Sequence, residues 1–206
     1  MRKIFIDGGA NSGQSTRSFL EQWPNSSEYE IFMFEPNSKP PVIYGDKTTL
    51  IRKAIWTYDG QIDFYEKGPS SQGNTMLLEK TNLEDRDYSS RTVDCISLSE
   101  WITANFKKED YIILKLDIEG AEYEVIKDLE KNKTFKYIDM FFCEIHGLKC
   151  GKDFKESMDL IHICNSNDLV PHRWDGNTFR FKNYQKKIYS EEHMKNEFKK
   201  WKKRGL

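Results

Sequence analysis

KIFIDGGANSGQST, residues 3 to 16, passes from a strand through a loop into a helix. Lys3 to Ile6 is a short β-branched and aromatic run of the kind a strand buried on both faces requires, and the glycines after it end it. Ser15 or Thr16 can cap a helix that carries Phe19, Leu20 and Trp23 on one face and that Pro24 and Asn25 stop. The loop Asp7-Gly8-Gly9-Ala10-Asn11-Ser12-Gly13 therefore lies at the carboxyl end of a strand, where open α/β sheets bind ligands. Its glycines let backbone approach a ligand closely.

Asp7 narrows the choice of ligand. A dinucleotide loop brings a diphosphate onto the helix N-terminus, and a carboxylate ahead of the first glycine would repel it. The same carboxylate suits a ligand with an ammonium group and no phosphate, such as the methionine end of S-adenosylmethionine. Glu35 closes the next strand 22 residues after Gly13, where an acidic side chain accepts hydrogen bonds from both ribose hydroxyls. A tight turn alone would explain the glycines and a strand end would explain the glutamate, but neither explains the pair at this spacing.

Outward from this core, Glu30 to Phe34 is the second strand, closed at Glu35-Pro36-Asn37 because the residue before a proline leaves helical geometry. Leu50 to Thr57 reads as a third strand, and Asp59-Gly60 turns the chain into Gln61 to Tyr65. From 67 to 91 no periodicity holds, so a mobile loop is expected there. Ser97 with Glu100 predicts a capped helix around Trp101 and Ile102. Tyr111 to Leu116 is a fourth strand, followed by a helix holding Tyr123, Val125, Ile126 and Leu129. Ile138 to Ile145 is a fifth, followed by an apolar-faced helix over 154 to 164. Strands that alternate with helices in this way predict a parallel sheet covered on both faces. Leu169 to Trp174 and Thr178 to Phe181 flank Asp175-Gly176-Asn177 as an antiparallel hairpin. Met194, Phe198 and Trp201 recur at helical spacing in a basic terminal helix over 190 to 206.

A chain of 206 residues suits one domain, read here as 1 to 206, and 37% hydrophobic with 32% charged residues suits a water-soluble one. Lys and Arg (32) nearly cancel Asp and Glu (33), so overall charge argues for neither nucleic acid nor acidic substrates. No window approaches the roughly 18 apolar residues of a membrane span, and no signal-peptide core follows the first residues, which points to the cytoplasm. Cys95, Cys143, Cys150 and Cys164 contain no CxxC pair and read as reduced thiols. A metal set of Cys143, His146 and Cys150 is disfavoured, because Cys143 and His146 would face opposite sides of a strand.

With these residues in view, the chain resembles the FkbM family of methyltransferases. The matching pieces are FIDGGANSGQST at 5 to 16, FEPN at 34 to 37, AIWTYDGQIDFYE at 54 to 66, RTVDCISLSEWI at 91 to 102, ILKLDIEGAEYEVIKDL at 113 to 129 and CEIHG at 143 to 147. The resemblance implies a Rossmann-like class I methyltransferase fold, a seven-stranded, mostly parallel sheet with an antiparallel last strand, and methyl transfer to oxygen, often of a sugar. It implies that Asp7, Gly8, Gly9, Ala10, Asn11 and Gly13 surround the methionine and ribose part of S-adenosylmethionine. Glu35 and Pro36 belong beside the ribose, and Asp117 near the methionine ammonium or the acceptor. Family members usually carry residues before the first strand, so acceptor recognition is expected from elsewhere in this chain, which reads equally as one module of a longer protein.

Methyl transfer to a sugar or glycan hydroxyl needs an aligned acceptor and either a base or a metal. Lys115 and Asp117 alternate onto one side near the end of the fourth strand, and Glu144 and His146 do so near the end of the fifth. His146, with its ordinary pKa near neutrality, is the expected base, oriented by Asp117 or Glu144, while Lys115 partners a carboxylate. The alternative sets Asp117 and Glu144, with His146 or Glu119, around a hard divalent cation, Mg or Mn. Trp174 and His172 can present an aromatic wall to a sugar and Tyr88 can close over it, although packing is the commoner role for Trp174. Among competing functions, a nicotinamide oxidoreductase is disfavoured by Asp7. A nucleic-acid enzyme is suggested only by Lys199, Lys200, Lys202, Lys203 and Arg204, without an aromatic-rich basic groove elsewhere.

Overall fold

A computed structural model describes residues 1–68, 72–83, 88–174 and 181–203. The strands are β1 (Lys3–Gly8), β2 (Glu30–Phe34), β3 (Thr48–Ile51), β4 (Ala54–Trp56), β5 (Gly60–Glu66), β6 (Ser89–Ser97), β7 (Tyr111–Leu116), β8 (Met140–Cys143) and β9 (Pro171–Arg173). The α-helices are α1 (Gln14–Gln22), α2 (Leu78–Leu83), α3 (Leu98–Asn105), α4 (Glu122–Lys131), α5 (Phe154–Ser166) and α6 (Glu191–Lys203). Six strands form one all-parallel sheet in the order β3-β2-β1-β7-β8-β9, and β4-β6-β5 form a small second sheet.

Alternation along β1 splits the core in two. Phe5 packs with Phe19 of α1, their rings stacked 4.1 Å apart, together with Ile31, Met33, Ile113 and Phe142. Ile4 and Ile6 enter the larger cluster on the other face, with Leu98 and Ile102 of α3, Val125 and Leu129 of α4, Leu160 of α5 and Met194 of α6. Parallel strands buried on both faces read as continuous apolar runs, which is why β1, β7 and β8 were legible without alternation in the sequence. The result is a Rossmann-like α/β fold with helices on both sides of the sheet.

Four expectations change. Leu50 to Thr57 is two strands in different sheets: Arg52 turns away to donate from Nη2 to the Asn37 carbonyl at 2.8 Å, and Lys53 N–H closes on the Ile51 carbonyl at 2.9 Å. β6, not expected as a strand, pairs antiparallel with β5 from Ser89 to Cys95 and buries Val93 and Cys95 in alternation. Neither Ser15 nor Thr16 caps α1, whose N-cap is Gly13 with no side-chain bond; both hydroxyls are drawn instead to Asp7. No antiparallel seventh strand lies among the described residues: β9 runs parallel to β8, with one antiparallel bridge from His172 to Ile188. Of the hairpin's second arm, 178 to 180 lie outside the described residues, and Phe181 begins a 3₁₀ turn (Phe181–Lys186).

The 67 to 91 segment holds α2 and the start of β6, and it is tied down by polar anchors rather than by an apolar stripe. Thr75 bridges backbone to Tyr65 and donates its hydroxyl to the Glu119 carbonyl at 2.8 Å, while buried Lys80 pairs with the Glu119 carboxylate. α6 buries Met194, Phe198 and Trp201, with Phe198 edge-on to Phe154 at 5.6 Å, and its lysines lie outside. Arg204 lies outside the described residues. Among the described residues no helix is long and apolar enough to cross a membrane.

Candidate active site

β1 and β7 lie side by side where the chain's path across the sheet reverses, and a cleft of about 1060 Å³ opens there. Gly9, Ala10, Asn11, Glu35, Pro36, Lys115, Asp117 and Glu144 line it, whereas Asp7, Gly8, Gly13 and His146 do not.

Asp7 is wholly buried beneath the loop. Its Oδ2 accepts hydrogen bonds from Ser15 Oγ at 2.6 Å and Thr16 Oγ1 at 2.8 Å, and its Oδ1 lies 3.1 Å from Lys115 Nζ. The carboxylate thus faces the protein rather than a ligand ammonium, which corrects the expectation from the sequence. Lys115, equally buried, donates to the carbonyls of Gly8 at 3.1 Å and Gly9 at 2.8 Å and sits under the Trp174 ring. Burial alone would lower its pKa, but Asp7 and then Asp117 outweigh burial and raise it. Lys115 is the loop's internal counterion.

The glycines answer to packing as well. At Gly9, with φ 74°, an added Cβ would lie 1.9 Å from the Asp117 carbonyl oxygen, and at Gly13, with φ 91°, 2.5 Å from that of Val42. Protein backbone, not a ligand, occupies the space a side chain would take.

Glu35 does face the cleft. Its Oε2 accepts from Asn11 N–H at 2.6 Å and its Oε1 from Asn37 N–H at 2.8 Å, so the carboxylate is fixed while each oxygen keeps a lone pair. Burial pushes its pKa up, against those two bonds. Beside it Phe34, Ala54, Ile55, Phe64, Met76 and Ile118 line an apolar stretch that can take a flat base. None of these six was singled out from the sequence, because they converge from separate strands and a loop.

Past the ends of β7 and β8 lies a cluster of carboxylates around one imidazole. His146 Nδ1 is 3.1 Å from Glu122 Oε1, and Nε2 faces Glu119 at 3.2 Å, Glu144 at 3.6 Å and Asp117 at 3.8 Å. Glu122 is committed to the turn, accepting from Ile118 N–H and Gly120 N–H, both at 2.8 Å. Burial would lower the His146 pKa, but Glu119 and Glu122 outweigh it and raise it well above the ordinary value. His146 is 1% exposed and does not line the cleft, so the structure places it behind Asp117 and Glu144 rather than at the position expected of the base. Burial also acts on Glu119, but His146 and Lys80 hold its carboxyl well below the carboxylate range. Asp117 goes the other way: burial first, with Glu144 adding to it against Lys115 and His146, pushes it up to about 7. Asp117 lines the cleft, so the strand end does present a group that titrates near neutrality, although it is not the histidine.

The far wall of the cleft comes from Arg173 and Trp174 at the end of β9 and from Tyr189, His193, Met194 and Trp201 in and before α6. Trp174 is buried in the smaller core cluster and still borders the cleft, whereas His172 and Tyr88 do not line it. A family model, the methyltransferase FkbM domain, matches residues 7–168, which is more than half of the chain. The chain belongs to the FkbM methyltransferase family. No curated protein and no solved structure matches it. The FkbM match stops before β9, so the part of this FkbM domain's cleft wall built by β9 and α6 lies beyond it. As a methyltransferase it has its glycine loop, Glu35, Asp117 and Glu144 within the matched residues.

Proposed function

We propose that this FkbM domain transfers the methyl group of S-adenosylmethionine to a hydroxyl of a sugar or glycan, with Asp117 as the base. One observation carries the reading: fixed Glu35 and Asp117, with its pKa near 7, border the same cleft at the β1/β7 switch point. Glu35 has the geometry to accept both ribose hydroxyls, and the apolar stretch beside it has the shape for adenine. Bound there, S-adenosylmethionine would supply an electrophilic methyl group on a sulfonium. Asp117 takes the proton of the acceptor hydroxyl onto a carboxylate oxygen as that hydroxyl attacks, and its pKa near the operating pH suits the transfer. His146, held at Nδ1 by Glu122, steadies the neighbouring carboxylates as a positioning residue. Trp174 and Trp201 border the cleft and give its far wall an aromatic character suited to a sugar ring.

A divalent cation is the second reading, because Asp117, Glu122 and His146 bring ligand atoms within 4.8 Å of one another and Glu144 stands nearby. Lys80, Lys115, Lys149 and His146 already balance these carboxylates, which favours proton transfer without a metal. Calorimetry with S-adenosylhomocysteine tests the cofactor assignment: Glu35→Ala should weaken binding by about 1.5 to 3 kcal/mol, the worth of hydrogen bonds to a charged group. Wild-type affinity in that variant overturns it. Mass-spectrometric assay of methyl transfer to defined sugars, with and without EDTA, tests the rest. Activity lost to EDTA and restored by Mg²⁺ or Mn²⁺ replaces the base mechanism with the metal one.

A further inference from the structure

We infer that the acceptor carries an acidic group, a carboxylate or a phosphate, and that Arg173 seats it; this rests on the sugar acceptor proposed above. The cations around the cleft are otherwise engaged. Arg17, Lys80, Lys115, Lys149 and Lys200 each stand beside a carboxylate, respectively those of Glu21, Glu119, Asp7, Glu144 and Glu197. Lys67 lies 5.0 Å over the Tyr88 ring.

Arg173 differs from all of them. Among the described residues its guanidinium has no carboxylate partner; instead Nη1 donates toward the His193 ring, 2.8 Å from Nδ1. Nε has no hydrogen-bond partner and is shut off from solvent. A guanidinium cannot lose its charge, and its N–H donors match the oxygens of a carboxylate or phosphate. A cation on a cleft wall with no carboxylate partner among the described residues therefore calls for an anion brought by the ligand.

The position gives the orientation. Arg173 pairs in register with Cys143, the residue before Glu144, so it stands beside the strand end that carries the carboxylate cluster. Glu35, Asp117, Glu119 and Glu144 also line the cleft and repel an acid, which leaves Arg173 as its seat. A sugar bearing one acidic group is thereby turned with that group on Arg173 and its hydroxyls toward Asp117. Trp174, next in sequence, also borders the cleft.

The test is direct binding of D-glucuronate, glucose 6-phosphate and glucose to the full chain by calorimetry, at fixed ionic strength and with S-adenosylhomocysteine present. The acidic sugar that fits should bind about ten- to a hundredfold more tightly than glucose, as expected for charge-assisted hydrogen bonds. Preference for glucuronate identifies a carboxylate, and preference for glucose 6-phosphate a phosphate. Arg173→Gln should remove the preference while leaving glucose and S-adenosylhomocysteine affinity unchanged, and Arg173→Lys, which keeps charge and bulk, should retain only part of it. Equal binding of all three sugars by the wild-type chain, binding of none, or a preference that survives in Arg173→Gln overturns the inference. Failure of S-adenosylhomocysteine to bind would overturn the cofactor assignment instead, and the sugar measurements repeated without it still decide the role of Arg173.

Discussion

The two sides of the β1/β7 switch point hold buried charge in different ways. Beneath the glycine loop, Asp7 has two hydroxyl donors and a lysine and does not reach the cleft, and Lys115, which borders the cleft, donates to two carbonyls of the loop. Past the ends of β7 and β8, one imidazole is shared by several carboxylates at 3.1 to 3.8 Å, and Asp117 among them is pushed up to about 7. A charge held by its own donors and counterion is a structural element, whereas one that competes for a shared counterion remains able to change protonation state. The first side holds the loop in shape, and the second is suited to chemistry.

The largest effect expected from this contrast is on turnover. Asp117→Asn should lower kcat by about 10²- to 10⁴-fold, the usual worth of a general base. The base works as the carboxylate, so wild-type kcat should rise as pH increases through about 7, and the variant should lose that limb. A pH-rate profile of Asp117→Asn with the same rise would assign the titration to another group and end the distinction between the two sides.

Next comes stability on the loop side. Lys115→Met removes the cation beside buried Asp7, and breaking such a pair should cost about 3 to 5 kcal/mol. Urea denaturation measures this directly. A loss below 1 kcal/mol would mean that the two hydroxyls alone satisfy Asp7.

The smallest effect is a pH dependence of stability on the other side. The folded pKa of His146 lies above its unfolded value, so its contribution is fully present below about pH 6.5 and lost as pH rises through the folded value. His146→Gln should therefore destabilise by about 1.5 to 3 kcal/mol in acid-side denaturation, the scale of a charged hydrogen bond, and progressively less in alkaline buffer. A pH-independent penalty would make His146 a neutral packing residue.

Local reading was sound wherever neighbours in sequence carry the signal. β1, β2 and β7 follow from apolar runs, α3 from Ser97 accepting the Glu100 N–H, and α6 from its apolar spacing. β6 alternates only at Val93 and Cys95, and the polar residues around them mask it in the sequence. The anchors of the 67 to 91 segment left no periodic trace, because Thr75 and Lys80 are held by Glu119 rather than by an apolar face.

By itself the sequence determined the α/β alternation, the place of the loop at a strand's carboxyl end, and which acids and bases stand at strand ends. Only tertiary structure decided where they face and what charge they carry. Asp7 turns inward because Ser15, Thr16 and Lys115 meet it from α1 and β7, and the His146 pKa is raised because Glu119 and Glu122 meet it from α4 and the loop before it. A protonation state reflects burial summed with every charge within a few ångströms, and those distances are set when separate elements pack.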